Sequence, residues 1–458
     1  MSGHNSNSTV GALPDASADS PFAPVALTRL VWTLFAASVA VLFARVRLGG
    51  AWEVPGVVAV DGLTVLLWVV VTFFSGIVHS YSRRYMAGSA HETKFFATVF
   101  GFTVAVMGLV AADHLALFWL LWLAMGLVMA SLIGVVDGWS QAQAAERVAR
   151  NYFLASSAFL GVALAALIQS ALVPFHGWLL SSMTAPTPAS ALMHAGFVNA
   201  GGILLLRFAP VVTLDATLML GIVTVGATSA LVGKLLKNVQ SDVKSELGCS
   251  TIGQMGFMIM QAGLGFFGAA ITHLILHGFY KAYHFLSASG AVERTAPTDH
   301  ENPDTGLAGT AVIVATGLAG GALFAALTGK GTNLDSGLLL VAFVVLTTLH
   351  AARNVVARAA LPSTARYGAV PLVFLPAIAV YALVYEAISS VLSGLPVVEA
   401  PAELSALHAL VAGVFLVVYV AIELGVHERS RRLYVALLNA SQPASSTMQT
   451  ATEEYNEY

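Results

Sequence analysis

Residues 268–292, GAAITHLILHGFYKAYHFLSASGAV, place His273, His277 and Lys281 at i, i+4 and i+8. At roughly 100° per residue, that spacing sets all three on one helix face, about 6 Å apart along the axis. The rest of the stretch is apolar or small and about long enough to span a bilayer. A row of titratable groups inside a membrane helix is costly and marks function by default. Imidazole is suited to passing protons because its ordinary pKa lies near neutrality. The chemistry such a row could do is stepwise proton transfer along the helix. The same three groups could instead glue helices together or lie near a membrane interface.

Elements that hold such a row must be membrane helices. The 458-residue chain is 57% hydrophobic and only 10% charged, with a mean hydropathy of +0.80. Soluble globular chains are usually about a quarter charged. Apolar runs of about 20 residues recur along the chain, which implies helices rather than barrel strands. The expected fold class is an all-α polytopic membrane protein. The lone Cys249 excludes an internal disulfide and any cysteine-based cluster or zinc site within this chain. No basic stripe supports nucleic-acid binding. No phosphate-binding glycine loop, His/Cys metal spacing or Ser-His-Asp arrangement can be read.

In chain order, residues 1–24 are rich in Ser, Ala, Asp and Pro and lack Lys, as expected of a disordered tail rather than a signal peptide. The membrane domain is expected over 25–426 and a polar tail over 427–458. Spans are expected near 25–45, 57–79, 94–111, 114–134 and 152–172, with a polar connector at 135–151. The run PFHGWLLSSMTAPTPAS then carries Pro174, Pro186 and Pro188. Proline removes a backbone donor, and a broken backbone at membrane depth is tolerated only where protein or a wet cavity satisfies it. A broken helix is therefore expected, with apolar helix resuming around His194. Further spans fall near 213–236, 247–265, 268–290, 307–328, 335–358, 368–394 and 404–426, giving about 12 to 13 in all. Arg83, Arg84, Lys94, Arg147 and Arg150 put the loops after the second and fourth spans on one side, expected to be cytoplasmic. Arg45 and Arg47 pull weakly the other way.

Other charges fall within or beside spans. Lys234, Lys237, Asp242, Lys244 and Glu246 cluster at a helix junction, and Lys330 lies in ALTGKGTN between two apolar runs. His350 and Arg353 sit in the following span. Glu386, inside VYALVYEAISSVL, needs a partner or a raised pKa. Such a pattern suits proton hopping through waters, and it equally suits charge pairs that rigidify a bundle.

The stretches VDGLT with SYSRRYM, LFWLLWLAMGLVMASLIG, VPFHGWL, APTPASALMHAG, SDVKSELGCSTIGQMGFM and HLILHGFYKAYHFLSASG run in order over residues 57–292. In this combination the chain resembles the proton-conducting, antiporter-like membrane subunits shared by respiratory complex I and multisubunit sodium/proton antiporters. The likeness is weaker beyond 300, where ALTGK matches a lysine position. The resemblance implies two inverted repeats, each with a broken helix, joined by a hydrophilic axis. It implies a proton-path role for His194, Asp242, Lys244, His273, His277, Lys281 and Lys330, and Glu386 is the added candidate toward the far side.

Departures from the family pattern are informative. The usual Trp-Glu pair is Trp122-Leu123 here, and Gln169 stands where the family has a lysine. Between Ile133 and Val173 there is room for one full span where the family has two. The long lateral helix of the complex I distal subunit is not expected. A short member with a degraded first half and an intact second half resembles the DabB subunits of the DAB inorganic-carbon accumulation complexes. That resemblance implies a cation gradient, most simply of protons, driving conversion of CO2 to bicarbonate by a large soluble DabA-like zinc partner. The partner resembles β-carbonic anhydrases and would sit on the cytoplasmic face of a bacterial inner membrane. No cofactor is expected in this chain, and the chemistry belongs to the partner. The alternatives are an antiporter subunit of Mrp or complex I type and a non-conducting membrane anchor.

Overall fold

The computed structural model describes residues 22–50, 52–158, 161–288, 306–356, 363–423 and 425–448. The expected tail over 1–24 lies outside these residues up to position 21, and the last ten residues of the chain lie outside them as well. In order, the elements are α1 (Phe22–Leu48), a hairpin of β1 (Trp52–Val54) and β2 (Val58–Val60), α2 (Gly62–Tyr85), α3 (Glu92–Ala111), α4 (Leu115–Ile133) and α5 (Ser140–Ala158). Then come α6 (Val162–Gln169), α7 (Gly177–Ser181), α8 (Thr187–Ala195), α9 (Ala200–Arg207), α10 (Ala209–Val212), α11 (Ala216–Lys237), α12 (Val243–Gly263) and α13 (Phe267–Ser287). The rest are α14 (Gly306–Thr328), α15 (Gly337–Val356), α16 (Ser363–Leu392), α17 (Ala406–Glu423), α18 (Val426–Arg429) and α19 (Arg431–Ala440).

Among the described residues, eight helical spans are long and apolar enough to cross a membrane, counting Thr187–Arg207 as one. Helices α12 and α13 match them in length, and α15 and α17 contain shorter apolar runs. The fold is a polytopic helical bundle, as the composition requires. Helices rather than sheet follow from the bilayer's demand that every backbone group be paired internally.

The connection from Ile133 to Val173 is not the connector plus single span that the sequence suggested. Helix α5 occupies most of it and runs antiparallel to α4. Trp122 Nε1 donates to Ser156 Oγ (3.1 Å) toward one end, and Gly134 meets Glu146 at the other. Its buried face is largely alanine, at 142, 144, 145 and 149, so hydropathy alone hides it. The expected span at 152–172 is instead the end of α5 and the short α6. The chain then breaks over residues 170–176 before α7, with Ala171 at φ 52°, a conformation that L-residues seldom adopt. A second interruption at Gly196 separates α8 from α9. Proline alone does not break a helix in this bundle, since α16 runs on through Pro371 and Pro376.

Close packing sets the geometry around the histidine helix. A Cβ on Gly233 would lie 2.2 Å from Gly253 N, and one on Gly256 would lie 2.4 Å from Ala230 N. Backbones of α11 and α12 therefore touch directly, the small-residue packing favoured in membranes. At Gly278, a Cβ would come 2.9 Å from both Ala195 O and the Phe74 ring, so α13 lies hard against α8 and α2.

One end of the bundle is basic. It carries Arg83 and Arg84 at the end of α2, Lys94 at the start of α3, Arg147 and Arg150 in α5, and Lys237 and Lys244 around the α11–α12 turn. Lys94 meets Asp137 at 2.5 Å there, and Lys237 meets Glu246 at 3.1 Å. The C-terminal segment reaches the α6–α7 region, where Ala444 N donates to Ser181 Oγ at 3.1 Å. At the opposite end, Arg207 closes α9 onto Asp61, the N-cap of α2, and donates to Thr64 Oγ1 (3.1 Å) and Val110 O (2.6 Å).

Candidate functional site

Three helices converge on the predicted row. On α13, the His273 and His277 rings stack with centroids 6.0 Å apart and planes 19° from parallel. His277 is buried and Lys281 is wholly so. Both ring nitrogens of His277 and Nε2 of His273 are buried without a protein hydrogen-bond partner. Buried polar atoms are normally paired, so unpartnered imidazole nitrogens in a line are groups left available to protons.

The basic-end terminus of this row is tied to α12 and α8 by a hydrogen-bonded chain. Lys281 Nζ donates to Leu247 O at 2.7 Å, and Thr251 Oγ1 donates to the same oxygen at 2.9 Å. His194 Nδ1 lies 2.9 Å from Thr251 Oγ1. A threonine hydroxyl has one proton. With that proton given to Leu247 O, the oxygen must accept from His194. This assignment gives the neutral imidazole the Nδ1–H tautomer and leaves Nε2, buried without a protein partner, as the proton acceptor. The ring also stacks on Phe285 at 4.5 Å, which fixes its plane. Leu247 O and Thr251 were missed as site groups. A backbone carbonyl has no sequence signature, and a threonine in an apolar helix is unremarkable.

Lys244 lies nearer the basic end and bonds separately from that chain. Its Nζ donates to Ala185 O (2.8 Å) and Met183 O (3.3 Å), in the turn leading into α8. Lys244 and Asp242, both expected on the proton path, are not placed in an ion pair with each other. Asp242 is the N-cap of α12 and accepts from Ser245 N at 2.8 Å, which is the ordinary use of an aspartate just ahead of a helix. Nearby, Lys234 Nζ lies 3.0 Å from His350 Nε2.

Lys330 lies at the opposite end. It forms an ion pair with Glu399, which also accepts from the Tyr385 hydroxyl. Its ammonium sits 5.8 Å from the Phe266 ring centroid. Phe266 directly precedes α13, seven residues before His273, or about 10 Å along the helix. Glu386 is not brought to this place. It is exposed on α16 while its neighbour Tyr385 points inward. The acidic partner is Glu399, in the connector after α16, a residue the sequence reading passed over as loop.

The first half is different. Leu123 is partly buried, and Gln169 is buried with its Nε2 unpartnered. A cavity of about 40 Å³ between α2, α3, α4 and α9 is lined by apolar groups such as Leu67, Phe102, Val106, Phe118 and Trp122.

The profile of the family described as NADH:quinone oxidoreductase/Mrp antiporter, TM, matches residues 147–395. That of the complex I chain 5 N-terminus matches residues 50–96. The chain belongs to the NADH:quinone oxidoreductase/Mrp antiporter membrane family. It is 32% identical to the probable inorganic carbon transporter subunit DabB2 of Halothiobacillus neapolitanus, over 71% of this chain and 69% of that protein. It is 34% identical to a Bacillus subtilis protein described as a probable inorganic carbon transporter subunit, DabB, over 61% and 63%. NADH-quinone oxidoreductase subunit L of Mycobacterium tuberculosis is also 34% identical, over 53% of this chain and 44% of that protein. Among solved structures, the Mrp complex of Dietzia sp. DQ12-45-1b shares the fold at a TM-score of 0.51 and 22% identity. That match covers 94% of this chain and 51% of the other. Like its relatives in this family, the chain is a multi-pass membrane subunit, and the names of those relatives place them in multi-subunit assemblies.

Proposed function

We propose that this chain is the proton-translocating membrane subunit of an inorganic-carbon accumulation complex, with the chemistry carried by a soluble zinc partner that resembles β-carbonic anhydrases. The observation that carries translocation is the buried line His273–His277–Lys281, linked through Leu247 O and Thr251 to His194. An ammonium held by a carbonyl rather than a carboxylate can release and regain a proton without stranding an opposite charge. Identity to two inorganic-carbon transporter subunits supports the carbon assignment. The positive-inside rule puts the basic end in the cytoplasm, of a bacterial inner membrane, and the partner would dock there. Moving one charge through the membrane potential supplies about 2.3 kcal/mol per 100 mV, delivered to the partner as a conformational or electrostatic change.

The test joins purification with function. The tagged chain in mild detergent is expected to bring down one large soluble zinc protein. The H273L/H277L/K281M variant is expected to keep that partner and lose proton-driven inorganic-carbon accumulation. Full accumulation in the triple variant would leave the chain a passive anchor. Several co-purifying membrane subunits would favour the antiporter reading, to which the Mrp-like fold lends support.

A further inference from the structure

A recess of about 400 Å³ lies between α2 and α13, apart from the histidine row. The rings of Phe73, Phe74 and Phe279 close its inner end, with centroids 5.0 to 5.7 Å apart. From there the two helices run side by side toward the basic end. Ile77 forms the wall on α2, and Ala282, Tyr283 and Leu286 form the wall on α13. Phe279 is 48% exposed and Tyr283 69%. The recess therefore opens outward, to the side where a membrane protein meets lipid tails.

Its mouth at the basic end is charged. Phe73, Ile77 and Arg84 fall at i, i+4 and i+11, within about 40° of one another around α2. Arg84 stands two turns beyond Ile77, about 10 Å along the axis. Helix α1 packs antiparallel against α2 beside the recess. There Trp32 Nε1 donates to Ser80 Oγ at 2.9 Å, and the Phe35 ring meets that of Phe73 at 5.6 Å. Arg29 is one turn from Trp32 toward the same basic end. Arg29, Arg83 and Arg84 are exposed, and none of the three is in an ion pair among the described residues. Tyr85 stacks on Tyr81 at 5.9 Å at this level, as interfacial aromatics do.

An apolar trough that ends in guanidinium groups matches a hydrocarbon tail with an anionic head. The guanidinium fork suits a phosphate, which it can hold through two parallel N–H bonds. Basic pockets between membrane helices draw anionic headgroups for this reason. We propose that the recess seats an anionic phospholipid, with one acyl chain between α2 and α13 and its phosphate held at the mouth by Arg84 and Arg29. The chain lies against Ala282, the residue next to Lys281, just past the turn where Gly278 packs on the Phe74 ring. Lipid thus completes the outer wall of the helix that carries the histidine row.

The intact complex in nanodiscs provides the test. The discs are phosphatidylcholine doped with phosphatidylglycerol that carries a photoreactive group in one acyl chain. Illumination and peptide mapping are expected to place crosslinks around Ile77 and Leu286. R29Q/R84Q is expected to lower that yield about tenfold or more. A photoreactive phosphatidylcholine is expected to label weakly in both proteins. S287W puts a ring into the end of the recess and leaves the arginines in place. It is expected to cut labelling too, which keeps the proposal testable should the double variant fail to assemble. Equal labelling by the two headgroups, or unchanged phosphatidylglycerol labelling in R29Q/R84Q, would overturn the proposal. So would a benzoylphenylalanine in place of Ile77 that crosslinks to another subunit instead of to lipid, since the recess would then be a protein interface. None of these outcomes depends on whether the α13 row conducts protons.

Discussion

Lys281 and Thr251 donate to one carbonyl oxygen, that of Leu247, at 2.7 and 2.9 Å. A shared acceptor couples the two donors. When the ammonium gives up a proton, the carbonyl's polarity is spent more fully on the hydroxyl, and the hydroxyl oxygen becomes a better acceptor for His194. Charge at Lys281 is thus felt at His194 on another helix without contact between the two side chains.

The coupling makes Thr251 a test of the relay. T251V should remove the bridge and leave the His194 Nδ1–H without an acceptor, at a cost of about 1–3 kcal/mol. T251S keeps the hydroxyl. Flux in reconstituted complex should fall several-fold in T251V and stay near wild type in T251S. Equal flux in both would show that the bridge is not used.

Lys281 separates stability from function. A fully buried ammonium is expensive to hold, and an apolar side chain of similar length often stabilises the fold. K281M should therefore melt at the same temperature as the parent in detergent, or higher, while proton-driven accumulation is lost. A clear drop in melting temperature would mean that the lysine is structural.

Asp242 caps α12, and its substitution should read as a cap. D242A is expected to lower stability by about 1 kcal/mol, and D242S to restore it. Flux should remain within about twofold in both once expression is matched. A large flux loss in D242S would return Asp242 to the relay.

Between His277 and Lys281, Gly278 faces Ala195 O and Phe74. G278A should force α13 away from α8 and cost about 1–3 kcal/mol. Measured by thermal shift, it should be worse tolerated than an alanine at Gly221, where a Cβ meets nothing within 4 Å.

At the exposed basic end, Lys94 hydrogen-bonds Asp137 and holds its carboxyl below the ordinary carboxylate range. The sign follows directly. The pair contributes above the unfolded pKa and is lost as pH falls through the lower folded value. K94A should therefore change thermal stability slightly at neutral pH and not at all near pH 2, and added salt should erase the difference.

Much of this was legible in the sequence because the row depends on one helix and one spacing. His273, His277 and Lys281 needed only α-helical periodicity to be placed together. What depended on several elements was not legible. Glu386 drew attention because apolar turns flank it, but which face of α16 is covered is decided by α14 and α13, and that position faces outward. Glu399 looked like a loop residue until the connector after α16 was folded back over Gly265. Asp242 could have been read as a cap from its place before the helix. Helix α5 was hidden because alanines, which hydropathy scores weakly, build its buried face.

The glycine contacts between α11 and α12 have a mechanical consequence. Two helices whose backbones touch at Gly233, Gly253 and Gly256 have no side-chain layer to shear, so they form a stiff beam. Where the beam meets α13, the chain turns through Gly265 at φ 88°, a conformation open to glycine. A push on the beam at Lys244 would then be carried along α12 to its other end, some 30 Å away.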